Sequence, residues 1–327
     1  MRYVDVHTHM LDRRWLELLK QKGGPRYSVE PLTDEAEGIY KQGAHFMTPM
    51  PAHFDYDLRV KDMDEAGIDL AIVSLTCPNV FWGGETTSCG AARIVNDAMA
   101  EGQRRHPDRI RWLLSLPWEY PVNALQELDR AHGNGAVGVM VLANVAGRHL
   151  TEDAFQPVWK AIDARGLPVL VHPADPPGTD EMQLAEHSLT ATVGFMFDTT
   201  LAITRMVFSG FLDRYPNLKI IAAHAGGTVP YLAGRMDRAW EMTPGARNAI
   251  EEPPSSYLKR IYYDAVCYRP EALALCIEVG GADKVMYGSD YPHDIGDMKG
   301  CRARVDALPE DQRAAVACEN AERIFRL

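Results

Sequence analysis

Several things are scarce in this sequence, and each shortage excludes a class of protein. None of its 327 residues lies in an apolar run near the length of a membrane helix, roughly eighteen residues, so no span is expected. Cations are outnumbered, with 34 Lys and Arg against 45 Asp and Glu and a net charge of -11, which argues against nucleic acid as the main partner. The basic pair Arg104-Arg105 reads as a solvated helix end. Six cysteines (Cys77, Cys89, Cys267, Cys276, Cys301 and Cys318) are scattered without a C-x-x-C pair, which fits reduced thiols better than a disulfide framework or a structural zinc module. Gly83-Gly84 and Gly226-Gly227 stand outside the G-x-G-x-x-G and P-loop patterns, so no nucleotide-binding signature is present. The first residues lack a charged segment, an apolar core and a small-residue cleavage site, and a cytoplasmic location is expected.

What remains is an ordinary globular composition, 46% hydrophobic and 24% charged, organised in alternation. Apolar runs rich in β-branched residues occupy 3–9, 69–76, 110–117, 136–144, 168–175, 219–227, 261–268 and 285–293. Such nearly continuous runs read as parallel strands buried on both faces. Helical patterns lie between them at 91–106, 122–132, 151–165, 198–215, 229–242 and 270–280, with 310–325 after the last strand. Thr151 reads as an N-cap, Gly166 as a stop and Pro270 as a first-turn residue. Eight such units predict an α/β protein, a distorted (β/α)8 TIM barrel forming one domain over 1–327. Two connections are long, an insertion at about 10–58 after strand 1 and a second at 176–197 after strand 5. Both follow strand C-termini, where long segments build pockets or lids, or are surface insertions or subunit contacts.

Polar residues end the apolar runs. His7 and His9, one residue apart, project from one face of strand 1. His172 ends strand 5, His224 ends strand 6 and Asp290 ends strand 8. A lone histidine of this kind is most often a hydrogen-bonded core residue. Four histidines and an aspartate at one depth would be costly to bury without a metal. The expected ligands are His7, His9, His172 and Asp290, with water at an open position. Asp264, on strand 7, is either an acceptor behind these ligands or a carboxylate satisfied within the core.

These residues resemble the amidohydrolase superfamily. The segments Leu170-Val171-His172-Pro173, 209–219, His224-Ala225-Gly226-Gly227 and 287–292 resemble more narrowly the 2-amino-3-carboxymuconate 6-semialdehyde decarboxylase family. Similarity spans most of the chain and is strongest from about 168 to 300. The resemblance implies nonoxidative decarboxylation, although the group also contains hydrolases and hydratases. Strand 4 carries no lysine of the kind that bridges two metals in binuclear relatives, so one ion is expected. His224 is then free to act with Asp290 as the catalytic acid/base pair, or else to orient water or Asp290.

Arg235 matches an arginine that in the resembling decarboxylase binds a substrate carboxylate across a subunit interface; from the residues alone a helix-surface salt bridge to Asp237 or Asp213 is the plainer reading. Two departures bear on the substrate. Residues 43–48 lack that enzyme's second carboxylate-binding arginine, and His293 stands where it has an aromatic residue. His45, His53 or His293 are candidates to replace those contacts, or are exposed loop residues. Phe46 and Trp82 are further candidate substrate contacts; the pair Phe81-Trp82 stacks on a planar substrate or packs beneath a loop.

The leading expectation is a metal-dependent nonoxidative decarboxylase of a hydroxy- or amino-substituted aromatic or muconate-type carboxylic acid. The alternative is hydrolysis of a lactone, amide or imine, or hydration, on the same residues. A metal-stabilised scaffold is the non-enzymatic reading. Zinc is the first choice of divalent metal and manganese the second. The partner is a small-molecule carboxylic acid, with no nucleic acid or membrane, and the Arg235 match implies a homodimer or higher homo-oligomer.

Overall fold

The computed structural model describes residues 1–33 and 36–327. Its main sheet has eight parallel strands: β1 (Val4–His9), β2 (Leu70–Ser74), β3 (Ile110–Leu114), β4 (Gly138–Leu142), β5 (Pro168–His172), β6 (Lys219–Ala222), β7 (Tyr262–Asp264) and β8 (Val285–Met286). Neighbours in the sheet are consecutive in sequence. The edges meet: the Val6 amide donates to the Tyr287 carbonyl at 3.0 Å, and Thr8 pairs in parallel with Tyr291. The result is a nearly closed (β/α)8 TIM barrel. Every residue of β1, β2, β4 and β5 is buried, as expected of strands covered by helices on one side and filled by side chains on the other.

The ladder is shorter than the apolar runs at its C-terminal end. β6 stops at Ala222 and β8 at Met286, so His224 and Asp290 lie beyond the ladder. Both have left-handed backbone, with φ of 54° and 58°. Leaving the ladder there frees them from pleat alternation and lets both carboxylate and imidazole turn into the mouth.

The insertion after β1 is folded. It holds the helix Arg13–Lys22, started by the Asp12 side chain accepting from the Arg14 amide, and a three-stranded antiparallel sheet of Tyr27–Pro31, Glu37–Lys41 and Ala44–Met47. Helices end as expected at Gly166 and start at Pro270, whereas the expected helix 198–215 breaks at Gly210 into Phe195–Phe208 and Phe211–Arg214. Among the described residues no helix is long and apolar enough to cross a membrane. All six cysteines are unpaired.

Candidate metal centre

The C-terminal ends of the strands carry the polar residues into one mouth. His7 Nδ1 donates to Asp264 Oδ2 at 2.6 Å, and neither side chain has any exposure. Asp264 also accepts the amides of His224 (2.9 Å), Ala225 and Val266 (both 3.0 Å). Burial works to raise the Asp264 carboxyl, but the charge and hydrogen bond of His7, with the His224 side chain and the amides, hold it below the usual range. With Nδ1 committed, His7 presents Nε2 to the mouth, 3.4 Å from Asp290 Oδ1. His172 is set the same way: Nδ1 donates to the Pro173 carbonyl at 2.8 Å, leaving Nε2 facing inward.

His9 Nε2 lies 3.1 Å from Asp290 Oδ1, and its Nδ1 lies 3.3 Å from the Ser74 hydroxyl. His224 Nε2 lies 3.5 Å from Asp290 Oδ2, and His224 keeps more side-chain exposure, 9%, than His7 or His9, both 0%. The His7 ring centroid is 5.1, 5.0 and 4.8 Å from those of His9, His172 and His224. Ligand atoms of His7, His172, His224 and Asp290 lie within 4.8 Å of one another, and those of His9, Asp290 and His293 form a second such group. The structure therefore brings all five predicted residues together and adds His293.

Backbone bonds fix this geometry. The Asp290 amide donates to the His7 carbonyl and the His9 amide to the Tyr291 carbonyl, each at 2.8 Å, so β1 and the segment after β8 are locked in register around the ligands. Gly288 permits the close approach, because a Cβ there would meet His7 Cβ at 3.0 Å and Asp264 Cβ at 3.2 Å. Gly227, with φ of 63°, completes the turn that carries His224; a side chain there would meet the Met196 carbonyl at 2.6 Å.

The donor set fits a divalent metal. His7 Nε2 and His172 Nε2 are buried atoms with no hydrogen-bond partner, which is costly unless something electrophilic lies between them. Burial pushes the His9 imidazole down to about 3 and His172 well below its usual value, so both are neutral at pH 7, the state a metal requires. Burial opposes ionisation of Asp290, yet hydrogen bonds from His224 and His9 keep its carboxyl well below the ordinary range.

The other predicted residues divide. His293 Nε2 lies 3.0 Å from the Thr76 hydroxyl, with its ring 4.9 Å from His9 and 5.0 Å from His53. His53 is fully buried, its Nδ1 accepting the Met50 amide at 2.9 Å. These two are thus packed behind the ligands rather than exposed on loops. His45 is exposed on the insertion sheet, 3.0 Å from the Thr48 hydroxyl, and is not brought to the cluster. Phe46 packs edge-on to Tyr27 and lines a cavity at the mouth. Trp82 points beneath it, its Nε1 donating to the Asn79 carbonyl at 2.8 Å and its ring packing edge-on to Trp15. Phe81, not Trp82, reaches the cavity wall. Arg235 is exposed on the helix Val229–Met242 and makes no ion pair among the described residues; Asp213 is taken by Arg260 and Tyr257, and Asp237 by the Ser255 amide.

Sequence reasoning missed the groups beside the metal centre. Asn144 Nδ2 donates to both Asp198 oxygens, at 3.0 and 2.9 Å, and Asp198 also accepts the Ala174 amide at 2.8 Å. Burial pushes the Asp198 carboxyl up to about 7. The signal was the polar Asn144 closing the strand-4 run. Lys41 of the insertion pairs with Asp175, three residues past His172. Nothing local to Lys41 announces that contact.

The amidohydrolase pattern matches residues 4–327. The chain belongs to the amidohydrolase family. It is 29% identical to a 2-amino-3-carboxymuconate-6-semialdehyde decarboxylase of Dictyostelium discoideum, over 90% of this chain and 83% of that one. The solved 5-carboxyvanillate decarboxylase of Sphingomonas paucimobilis superposes with a TM-score of 0.87 at 27% identity, covering 100% of this chain and 99% of the other. A dihydroxybenzoic acid decarboxylase of a Polaromonas species, solved with bound manganese and the inhibitor 2-nitroresorcinol, gives 0.81 at 25% identity, covering 100% and 97%.

Proposed function

We propose that this amidohydrolase is a metal-dependent nonoxidative decarboxylase of an aromatic or muconate-type acid with a hydroxyl or amino group beside the leaving carboxylate. The observation that carries the reading is the convergence of His7, His9, His172, His224 and Asp290 on one mouth, with the inward-facing Nε2 atoms of His7 and His172 lacking partners. Relatives with this fold that decarboxylate aromatic and muconate acids support the choice of reaction.

His7, His9, His172 and Asp290 would hold one divalent ion, which would act as a Lewis acid toward the substrate's oxygens. The donor set suits zinc or manganese, and the manganese in the dihydroxybenzoic acid decarboxylase makes manganese the ion we favour. His224, the more exposed imidazole, faces the substrate with Asp290 behind it. Together they deliver a proton to the ring carbon that bears the carboxylate. The bond from that carbon to the carboxylate then breaks, its electron pair returns to the ring, and carbon dioxide leaves. The Asp264 carboxylate keeps His7 and the His224 backbone in place throughout. A homodimer, with Arg235 reaching the partner's pocket, and a reducing cytoplasmic setting for the six free thiols belong to the same reading.

The test is carbon dioxide release by metal-loaded protein from a panel of hydroxy- and amino-substituted aromatic and muconate acids, with Asp290→Asn as control. Release that is lost in the variant is the expected result. Turnover of lactones or amides with no carbon dioxide from any acid would establish the hydrolase instead.

A further inference from the structure

His172 is held by two bonds of different kinds. Its carbonyl accepts the Ala143 amide at 2.7 Å, which continues the pairing of β4 with β5. Its Nδ1 donates to the Pro173 carbonyl at 2.8 Å, and that bond depends on how one peptide unit is turned. The Pro173 carbonyl and the Ala174 N–H share a planar trans peptide, in which they point in opposite directions. Whatever holds the Ala174 N–H therefore aims the Pro173 carbonyl.

The group that holds it is Asp198, whose Oδ2 accepts the Ala174 amide at 2.8 Å. Asp198 is buried in the first turn of the helix Phe195–Phe208, just past the far end of the 176–197 connection. Its carboxylate is itself fixed. Asn144, two residues past β4, donates Nδ2 to both Asp198 oxygens and to the Asp175 carbonyl, the last at 2.9 Å. Asn144 Oδ1 accepts the Gly147 amide at 2.9 Å, which sets which end of its side-chain amide faces Asp198. Phe195, three residues before Asp198 and so on the same face of the helix, meets the His172 ring edge-on with centroids 6.5 Å apart. One helical turn thus contacts both the ring and the peptide that orients it.

We propose that Asp198 is a positioning residue for the metal centre: by holding the 173–174 peptide it fixes the His172 ring, and with it the buried, partnerless Nε2, in the direction of the metal. This rests on His172 as a metal ligand and not on which reaction follows. An Asp198 that only closed the base of the 176–197 connection would contribute stability and leave metal binding alone, so metal binding separates the two roles.

Asp198→Asn is nearly isosteric, but because both oxygens accept it sets an N–H against either the Ala174 amide or the Asn144 side chain. Direct partners of ligands are worth about ten- to a hundredfold in metal affinity, and Asp198, acting through one peptide, belongs at the low end. The experiment measures zinc affinity by chelator competition in substrate-free wild type, Asp198→Asn, His172→Ala and the double variant. Zinc binds such sites more tightly than manganese and keeps the weakened variants measurable. Asp198→Asn should weaken binding about tenfold where His172 is present and less than about twofold where it is absent. An affinity within about twofold of wild type, or a tenfold loss that persists without His172, would overturn the proposal. Should Asp198→Asn not fold, Asn144→Ser frees the same carboxylate from its other side and enters the same cycle. A wild type that binds no zinc overturns the ligand role of His172 and this role with it, whereas a failure to release carbon dioxide touches only the proposed reaction.

Discussion

The 2.6 Å hydrogen bond from His7 Nδ1 to Asp264 Oδ2 joins the first strand of the barrel to the seventh behind the metal centre. The same carboxylate accepts the His224 and Ala225 amides, so one buried group sets both a candidate ligand and the turn that carries the candidate acid. Replacing it with Asn preserves size but removes the charge that holds His7. Partners of this kind are worth about ten- to a hundredfold in metal affinity. Asp264→Asn should weaken metal binding by that factor in chelator competition, with far-ultraviolet circular dichroism unchanged. Affinity within twofold of wild type would remove Asp264 from this role.

Arg59 is fully buried, with no carboxylate within 4.0 Å among the described residues. Its guanidinium donates to the Thr8 hydroxyl at 2.7 Å, to the His9 carbonyl and to Met10 Sδ at 2.9 Å, and lies over the Tyr291 ring. It therefore clamps the end of β1 to the segment after β8. Lysine cannot reproduce that fork, and burial of its compact charge leaves acceptors unsatisfied. Arg59→Lys should cost about 3 kcal/mol in urea unfolding. A cost below about 0.5 kcal/mol, the scale of an ordinary surface change, would contradict the clamp.

Acid lability follows from two histidines. Burial, helped by His293 and His9, pushes His53 down to about 2, and burial pushes His9 down to about 3. Unfolded, each titrates near its usual value of about 6.5. Between those values the unfolded chain binds more protons, so stability is intact above about 6.5 and falls with decreasing pH, by up to about 1.4 kcal/mol per pH unit for each group. His53→Gln removes one group, and apo-protein melts in chelator from pH 7 to 4 should show a shallower fall. An unchanged slope would show that His53 does not titrate on unfolding.

The barrel was legible because its strands are buried on both faces and so read as unbroken apolar runs, and because the first, fifth, sixth and eighth runs carry at or near their ends the polar residues that chemistry would use. What the runs hid was where the ladder stops. Ala223, His224 and Ala225 look like a continuation of β6, yet the His224 and Ala225 amides bond the Asp264 carboxylate and these two residues are left-handed. The insertion sheet was illegible for a different reason. Its strands are short and half-exposed, and what fixes them is partly tertiary, as with Lys41 reaching Asp175 across 134 residues of chain. Phe81 and Trp82 show the limit of reasoning by residue type: adjacent aromatics face different ways, and the larger one is spent on Trp15 and the Asn79 carbonyl.

The helices Phe195–Phe208 and Val229–Met242 leave Phe197, Leu201 and Tyr231 exposed at 41, 44 and 80%, with the unpaired Arg235 on the same second helix. Exposed apolar groups around a free guanidinium are the composition of an interface core with its polar anchor. Light scattering should give about twice the 36.4 kDa chain mass, and Leu201→Glu with Tyr231→Glu should halve it. Complementation then asks whose pocket Arg235 serves. An Asp290→Asn subunit paired with an Arg235→Ala subunit has one site with both residues intact only if Arg235 crosses the interface. Mixing the two inactive variants under subunit exchange should then recover about a quarter of wild-type activity, since half the dimers are mixed and each has one whole site. No recovery, with exchange verified by mass, would place Arg235 in the service of its own subunit.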